Sequence, residues 1–170
     1  MGHAIIIGQT ESGKTTLCKR LASWYKNHGV GVIVLDPMFD AGWPADWKTA
    51  DPVEFLEFVK DPERCLQCAL FVDEAGLSLD KYAVEYQWLT CQSRHHGHVT
   101  HIIAQRAQMV SANVRAQCST CYAFNVNADD AKIYAREFNC AELMNAPGLA
   151  KGEFIKADRF NGAKRYRLWS

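Results

Sequence analysis

Short apolar, β-branched runs alternate along the chain with longer stretches in which apolar residues recur at helical spacing. The runs are Ala4 to Ile7, Gly31 to Leu35, Ala69 to Val72, Thr100 to Ala104 and Tyr122 to Val126. Uninterrupted runs of this length mark strands buried on both faces, and helices between such strands return the chain for parallel pairing. Lys14 to Asn27 carries Leu17, Leu21 and Trp24 at helical spacing, with Gly29 as a stop. Asp51-Pro52 supplies an N-cap and a proline suited to the first turn ahead of Phe55, Phe58 and Val59. A longer helix is expected from about Leu79 to Ser93, stopping near Gly97. Asn127 caps another, with Asp129 and Asp130 in its first turn, running to about Phe138. The tract through Gly42, Trp43 and Pro44 reads as irregular surface chain. Further on, Phe154-Ile155-Lys156 and Arg165-Tyr166-Arg167-Leu168 alternate like two strands turned at Asn161-Gly162. The pattern predicts an α/β three-layer sandwich with a mostly parallel five-stranded sheet plus a C-terminal β-hairpin, as a single domain over residues 1–170.

The segment between the first strand and first helix carries specific chemistry. Gly8-Gln9-Thr10-Glu11-Ser12-Gly13-Lys14-Thr15 matches the eight-position P-loop pattern, in the strand-to-helix context that the pattern requires. Gly8 and Gly13 let the backbone wrap phosphate oxygens, and the helix N-terminus, continuing through Thr16, points its N–H groups at the anion. Lys14 is placed to reach the β and γ phosphates of ATP, and the Thr15 hydroxyl to ligate Mg²⁺. A carboxylate at Glu11 would repel phosphate, so its side chain is expected to point outward.

A second signal closes the third strand. Ala69 to Val72 runs into Asp73-Glu74, at the strand end where ligands of open α/β sheets bind. Neighbouring strand residues face opposite ways, so Asp73 is expected to hold Mg²⁺ and Glu74 to deprotonate a water that attacks the γ phosphate. This catalytic glutamate, with an additional strand in the sheet, is the hydrolytic type of P-loop fold. Gln105, leaving the fourth strand, is a further candidate to hold that water or the γ phosphate.

Composition removes some alternatives. Nineteen basic residues balance nineteen acidic ones, so no bulk positive field announces nucleic acid. No apolar stretch approaches the ~20 residues of a membrane-spanning helix, and the protein is expected to be soluble. Seven cysteines lie among helices and strands and suit reduced thiols. Cys65-x-x-Cys68 and Cys118-x-x-Cys121 have zinc-like spacing, but each pair runs into a strand and reads as buried thiols. His95, His96, His98 and His101 read as a helix end and a strand start.

The segments GQTESGKTT, ALFVDE, SRHHGHVTHIIAQR and NVRAQ, in this order, resemble the HerA/FtsK group of P-loop ATPases, and within it the genome-packaging ATPases of membrane-containing icosahedral viruses. The resemblance covers about residues 1–124. It implies a DNA translocase motor that packages viral double-stranded DNA at the expense of ATP hydrolysis. It also implies a homo-oligomer, a hexameric ring, in which an arginine completes the neighbouring site; Arg94 is the first candidate and Arg115 the second. Capsid or portal-vertex proteins are the implied partners, and the host cytoplasm and the packaging vertex of the virion the implied locations. Glu11 stands where the group usually has glycine. The hairpin residues Lys156, Arg159, Lys164, Arg165 and Arg167 could face DNA in a ring channel. A phage assembly or secretion ATPase, a small-molecule kinase and a non-catalytic nucleotide-controlled module are the alternative readings.

Overall fold

All five apolar runs become strands of one sheet, and three further strands extend it. The computed structural model describes residues 2–79 and 84–169. Its strands are β1 (Ala4–Ile7), β2 (Val32–Leu35), β3 (Trp47–Thr49), β4 (Ala69–Val72), β5 (Val99–Ala104), β6 (Thr120–Ala123), β7 (Glu153–Asp158) and β8 (Gly162–Arg167). They are ordered β3-β2-β4-β5-β1-β6-β7-β8. The first six pair in parallel, and β7 and β8 join antiparallel at the β6 edge. β5 therefore lies between the phosphate-loop strand β1 and the acidic strand β4, which is the additional strand of the hydrolytic type.

The sheet has eight strands where five were expected. The hairpin does not stand apart, because Thr120 to Ala123 of β6 pair with Ile155 to Asp158 of β7. Its turn is Arg159 to Asn161, held by the Asp158 carboxylate, which accepts from the N–H groups of Phe160 and Asn161. β3 falls in the tract read as irregular. Three residues are too few to show alternation, and what holds them is distant in sequence: Trp47 stacks on Phe58 with ring centroids 4.0 Å apart. Trp43 is likewise buried, against Phe71. β6 starts two residues earlier than expected and ends at Ala123, since Asn125 leaves the ladder to accept a hydrogen bond from Gln9 N at 2.8 Å.

Alternate strand residues divide the core into two layers, as the two-residue period of a strand requires. Ile5, Ile7, Ile33, Leu35, Leu70 and Val72 pack beneath α2 (Pro52–Lys60), α4 (Val84–Cys91) and α6 (Ala128–Glu137). Ile6, Val34 and Phe71 pack beneath α1 (Lys14–Asn27), with Phe154 and Leu168 from the hairpin region. Asp51 caps α2 through Val53 N and Glu54 N, and Asn127 caps α6 through Asp130 N. Part of the helix expected over 79–93 lies outside the described residues. Within them, α3 (Ala75–Ser78) precedes the gap, and α4 is followed by a 3₁₀ turn, Ser93–His96, that ends at Gly97 with φ 74°. α5 (Ala112–Gln117) completes the set. Among the described residues no helix is long and apolar enough to cross a membrane.

Candidate functional site

The parallel strands β1, β4 and β5 end on one side of the sheet, and the three sequence signals meet there. Beyond Ile7 the chain enters the phosphate loop, whose glycines are required by space. A Cβ on Gly8 would lie 2.6 Å from Phe124 Cβ, and one on Gly13, at φ 119°, 2.9 Å from Leu168 Cδ1. α1 starts directly after Gly13 with no side-chain cap, so the N–H groups of its first turn stay available to an anion. Glu11 adopts the left-handed region at φ 62°, a conformation that glycine reaches without a Cβ penalty. Its side chain is exposed and contributes to the lining of the loop cavity. Ser12 Oγ is buried in the loop without a hydrogen-bond partner.

Lys14 is buried, and its Nζ donates to Gln9 O at 2.9 Å, bridging the loop. Burial pulls its pKa below the ordinary lysine value, against the opposing charges of Glu74 and Asp73. That mutual influence places the lysine and both carboxylates in one electrostatic site.

Asp73 and Glu74 diverge for a different reason from the one expected. β4 ends at Val72, and Glu74 sits beyond it in the left-handed region, φ 44° and ψ 53°, at the start of α3. A turn, not the strand pleat, separates the two carboxylates. Asp73 is buried; its Oδ1 accepts from Glu74 N at 2.9 Å, and its carbonyl accepts from Ser78 Oγ at 2.6 Å. Burial first, then the nearby charges of Glu74 and Asp36, raise its pKa to about 6. The Glu74 carboxylate instead lines the loop cavity and accepts from Gln105 Nε2, at 3.1 Å to Oε2 and 3.4 Å to Oε1. Gln105 thus belongs to the site, orienting the carboxylate in this structure.

A cavity of about 330 Å³ is lined by Thr10, Glu11, Gly13, Lys14, Thr15, Thr16 and Glu74, and also by Lys151 and Trp169. The last two come from a segment for which sequence reasoning assigned no role in the site. They are brought in by Gly152 N, which donates to Ser12 O at 2.9 Å, by Leu168 N, which donates to Gly152 O at 2.8 Å, and by Arg20, which donates to Leu168 O. Gln9, Thr10, Gln105, Arg106, Asn127 and Asp130 line a second cavity of about 410 Å³ beyond Thr10. Arg106 was part of the AQR segment without an assigned role; here it is half exposed, with its Nε 3.5 Å from Asp130 Oδ2. The Thr15 hydroxyl and Asp73 carboxylate are hard oxygen donors of the kind Mg²⁺ accepts. A buried carboxylate with a raised pKa gains from a nearby cation.

The two candidate arginines part company. Arg94 is exposed, on the turn that leads into β5, and hydrogen-bonds Gln117 Oε1 at 3.0 Å. It lies at the opposite end of β5 from Gln105, roughly 20 Å along a six-residue strand, and so is outside its own chain's site. Arg115 is consumed internally: Nε and Nη2 engage Glu137 at 2.8–3.0 Å, and Nη1 donates to the carbonyls of Ala107 and Val110. With its side chain only 12% exposed, Arg115 cannot extend to a neighbouring molecule.

By sequence, no family profile and no curated protein matches the chain. By structure it is similar to the genome packaging NTPase B204 from Sulfolobus turreted icosahedral virus 2 in complex with AMPPCP. The TM-score is 0.82 at 14% identity, over 98% of this chain and 97% of that chain. It is also similar to the pCW3 conjugation coupling protein TcpA with ATPγS, at TM-score 0.74 and 15% identity over 98% of this chain and 59% of that one. For VirB4 of Thermoanaerobacter pseudethanolicus the TM-score is 0.73 at 9% identity, over 99% and 89%. At such identities the likeness is one of fold.

Proposed function

From the fold it shares with HerA/FtsK-type P-loop ATPases, we propose that this chain hydrolyses ATP and uses the energy to move double-stranded DNA into a viral capsid. The observation that carries the hydrolytic part is that Lys14 and Glu74 line one cavity floored by the phosphate loop, with Gln105 hydrogen-bonded to the Glu74 carboxylate. In this reading Gly8 to Thr16 cradle the phosphates and Lys14 neutralises the transferred group. Glu74, oriented by Gln105, takes a proton from water as the water oxygen bonds to the γ phosphorus and the bond to ADP breaks; the products are ADP, phosphate and a proton. Thr15 and Asp73 would hold Mg²⁺, which when bound supplies charge neutralisation at the phosphate oxygens. Lys151 and Trp169 line the nucleotide cavity as additional contacts.

The motor part rests on likeness of fold to the packaging NTPase across nearly the whole of both chains. In a homo-oligomeric ring, a hexamer, the exposed Arg94 would exchange its hydrogen bond to Gln117 for a neighbour's site. For DNA, the hairpin offers fewer free cations than its composition promises. Arg159 is bound to the carbonyls of Cys118, Glu137 and Arg115, and Arg165 and Arg167 share Glu153. Lys156 and Lys164 have no carboxylate within ion-pair distance among the described residues, and we assign the DNA contact to them. Capsid or portal-vertex proteins would be the docking partners, with the host cytoplasm and the packaging vertex as the places of action.

Steady-state ATP hydrolysis, measured with and without long double-stranded DNA at several protein and two salt concentrations, tests this. Stimulation by DNA that rises with protein concentration and fades with salt is expected. Hydrolysis indifferent to DNA would remove the motor assignment, and no hydrolysis in the assembled protein would remove the enzyme.

A further inference from the structure

One cysteine pair and one part of the histidine cluster meet at the end of the sheet opposite the nucleotide. Cys65 and Cys68 flank a tight loop between α2 and β4, and His98 immediately precedes β5. Gln67 bends the loop through the left-handed region at φ 55°. Two backbone hydrogen bonds tie it to the neighbouring turn: Gln67 N donates to His96 O at 2.9 Å, and Val99 N to Cys68 O at 3.0 Å. The ligand atoms of Cys65, Cys68 and His98 all lie within 4.8 Å of one another, with Cys65 and His98 buried and Cys68 at the edge of burial.

Hydrogen bonds to the backbone fix the tautomer of this histidine. Its Nε2 lies 3.1 Å from Val59 O. A carbonyl can only accept, so the ring proton sits on Nε2, and the Nδ1 lone pair accepts from Cys68 N at 3.1 Å, a hydrogen bond that ligation through Nδ1 would replace. A backbone carbonyl that fixes the tautomer through the other ring nitrogen is the usual support of a metal-bound histidine. A further candidate donor, outside this cluster, neighbours His98. The ring centroid of His96 is 5.8 Å from that of His98, and its Nδ1 is buried without a hydrogen-bond partner. Leaving such an atom unpaired is unfavourable, and ligation would relieve it.

We propose that Cys65, Cys68 and His98, with His96 turning in as the fourth ligand, bind one structural zinc ion. Two thiolates and two imidazoles are a closed tetrahedral set for zinc, and bond lengths of about 2.0–2.3 Å fit within the observed spacing. Binding is redox-neutral: each thiol loses its proton to solvent as its sulfur bonds zinc, so two protons leave per ion and the buried unit is uncharged. Cys118 and Cys121 take no part, because Cys121 lies in β6, separated from β4 by β5 and β1. The ion would staple the entering ends of β4 and β5, whose exit ends carry Asp73 and Gln105.

The full chain, purified under reducing conditions without a histidine tag or chelator, decides the matter by elemental analysis and by cobalt substitution. One zinc per chain is expected, with thiolate-to-cobalt charge-transfer absorption and the intense visible bands of a tetrahedral site. Zinc titrated into the metal-free protein in weak buffer should release two protons per ion. The Cys65→Ser/Cys68→Ser double variant should lose the ion, His96→Ala should lose it at chelator concentrations that spare the wild type, and Cys118→Ser should keep it. Reduced wild-type protein with no zinc and no cobalt–thiolate absorption would overturn the proposal, whether or not the double variant folds. So would metal uptake that depended on Cys118, or a Cys65–Cys68 disulfide detected by mass in protein whose reduced form takes up no metal.

Discussion

Asp73→Asn should stabilise the nucleotide-free protein while destroying its function. Burial and two neighbouring carboxylates raise the Asp73 pKa from the ordinary 3.8 to about 6. At neutral pH the native state therefore holds an ionised group that it would prefer protonated, whereas the unfolded chain does not. A difference of that size corresponds to about 3 kcal/mol, and partial solvent contact reduces it to about 1–3 kcal/mol. The sign follows from linkage. Between pH 3.8 and about 6 the folded state binds more protons than the unfolded state, so stability falls as pH rises through that window. The asparagine carries no such charge and keeps an oxygen to accept from Glu74 N. Its melting temperature should exceed the wild type by about 2–12 °C at pH 7.5, given roughly 2–4 °C per kcal/mol for a domain of this size. The gap should close as pH falls below about 4. Differential scanning fluorimetry of both proteins across pH 3.5–8 measures it. Mg-ATP should raise the melting temperature of the wild type and leave the variant nearly unmoved. An asparagine variant no more stable than the wild type at pH 7.5, or a gap independent of pH, would refute the reasoning.

Glu74→Gln should keep nucleotide affinity and lower turnover by about 10²–10⁴-fold, the range of general-base catalysis; single-turnover hydrolysis beside nucleotide titration separates the two. Arg94→Ala should leave binding by the isolated chain intact and cut turnover of the assembly by about 10³-fold, which mixing experiments with Glu74→Gln subunits can score. Arg115→Ala should behave differently, losing about 3–5 kcal/mol of stability in chemical denaturation because Glu137 is left without its partner. Trp169→Ala should weaken ATP binding at unchanged fold, and the tryptophan's own fluorescence should respond to nucleotide in the parent protein.

Most of the parallel sheet was legible because buried parallel strands are continuous apolar runs, and Ala4–Ile7, Val32–Leu35 and Ala69–Val72 are uniformly buried. The phosphate loop was legible because its spacing is local. What escaped was held by contacts between distant residues. Trp47 makes an edge strand through Phe58 and β2, and no three-residue window announces that. Lys151 and Trp169 reach the cavity through backbone hydrogen bonds, to which any residue type could contribute. Arg94 and Arg115 look alike in sequence; only the position of Glu137 distinguishes an exposed side chain with a single amide partner from one held in an ion pair. The divergence of Asp73 and Glu74 was expected from strand pleating, and a left-handed residue produces it instead.

The hydrogen bonds from Gly152 to Ser12 and from Arg20 to Leu168 also bear on how the molecule comes into being. Arg20 and Leu168 are 148 residues apart, yet the phosphate loop packs against the second of these segments as a wall. β1, moreover, lies between β5 and β6 and cannot be enclosed until both have been made. During vectorial synthesis the loop waits for its wall while nearly all of the intervening chain emerges, and its strand waits for β5 and then β6. The phosphate loop thus reaches its final surroundings late in folding, when residues 151–169 have docked against it.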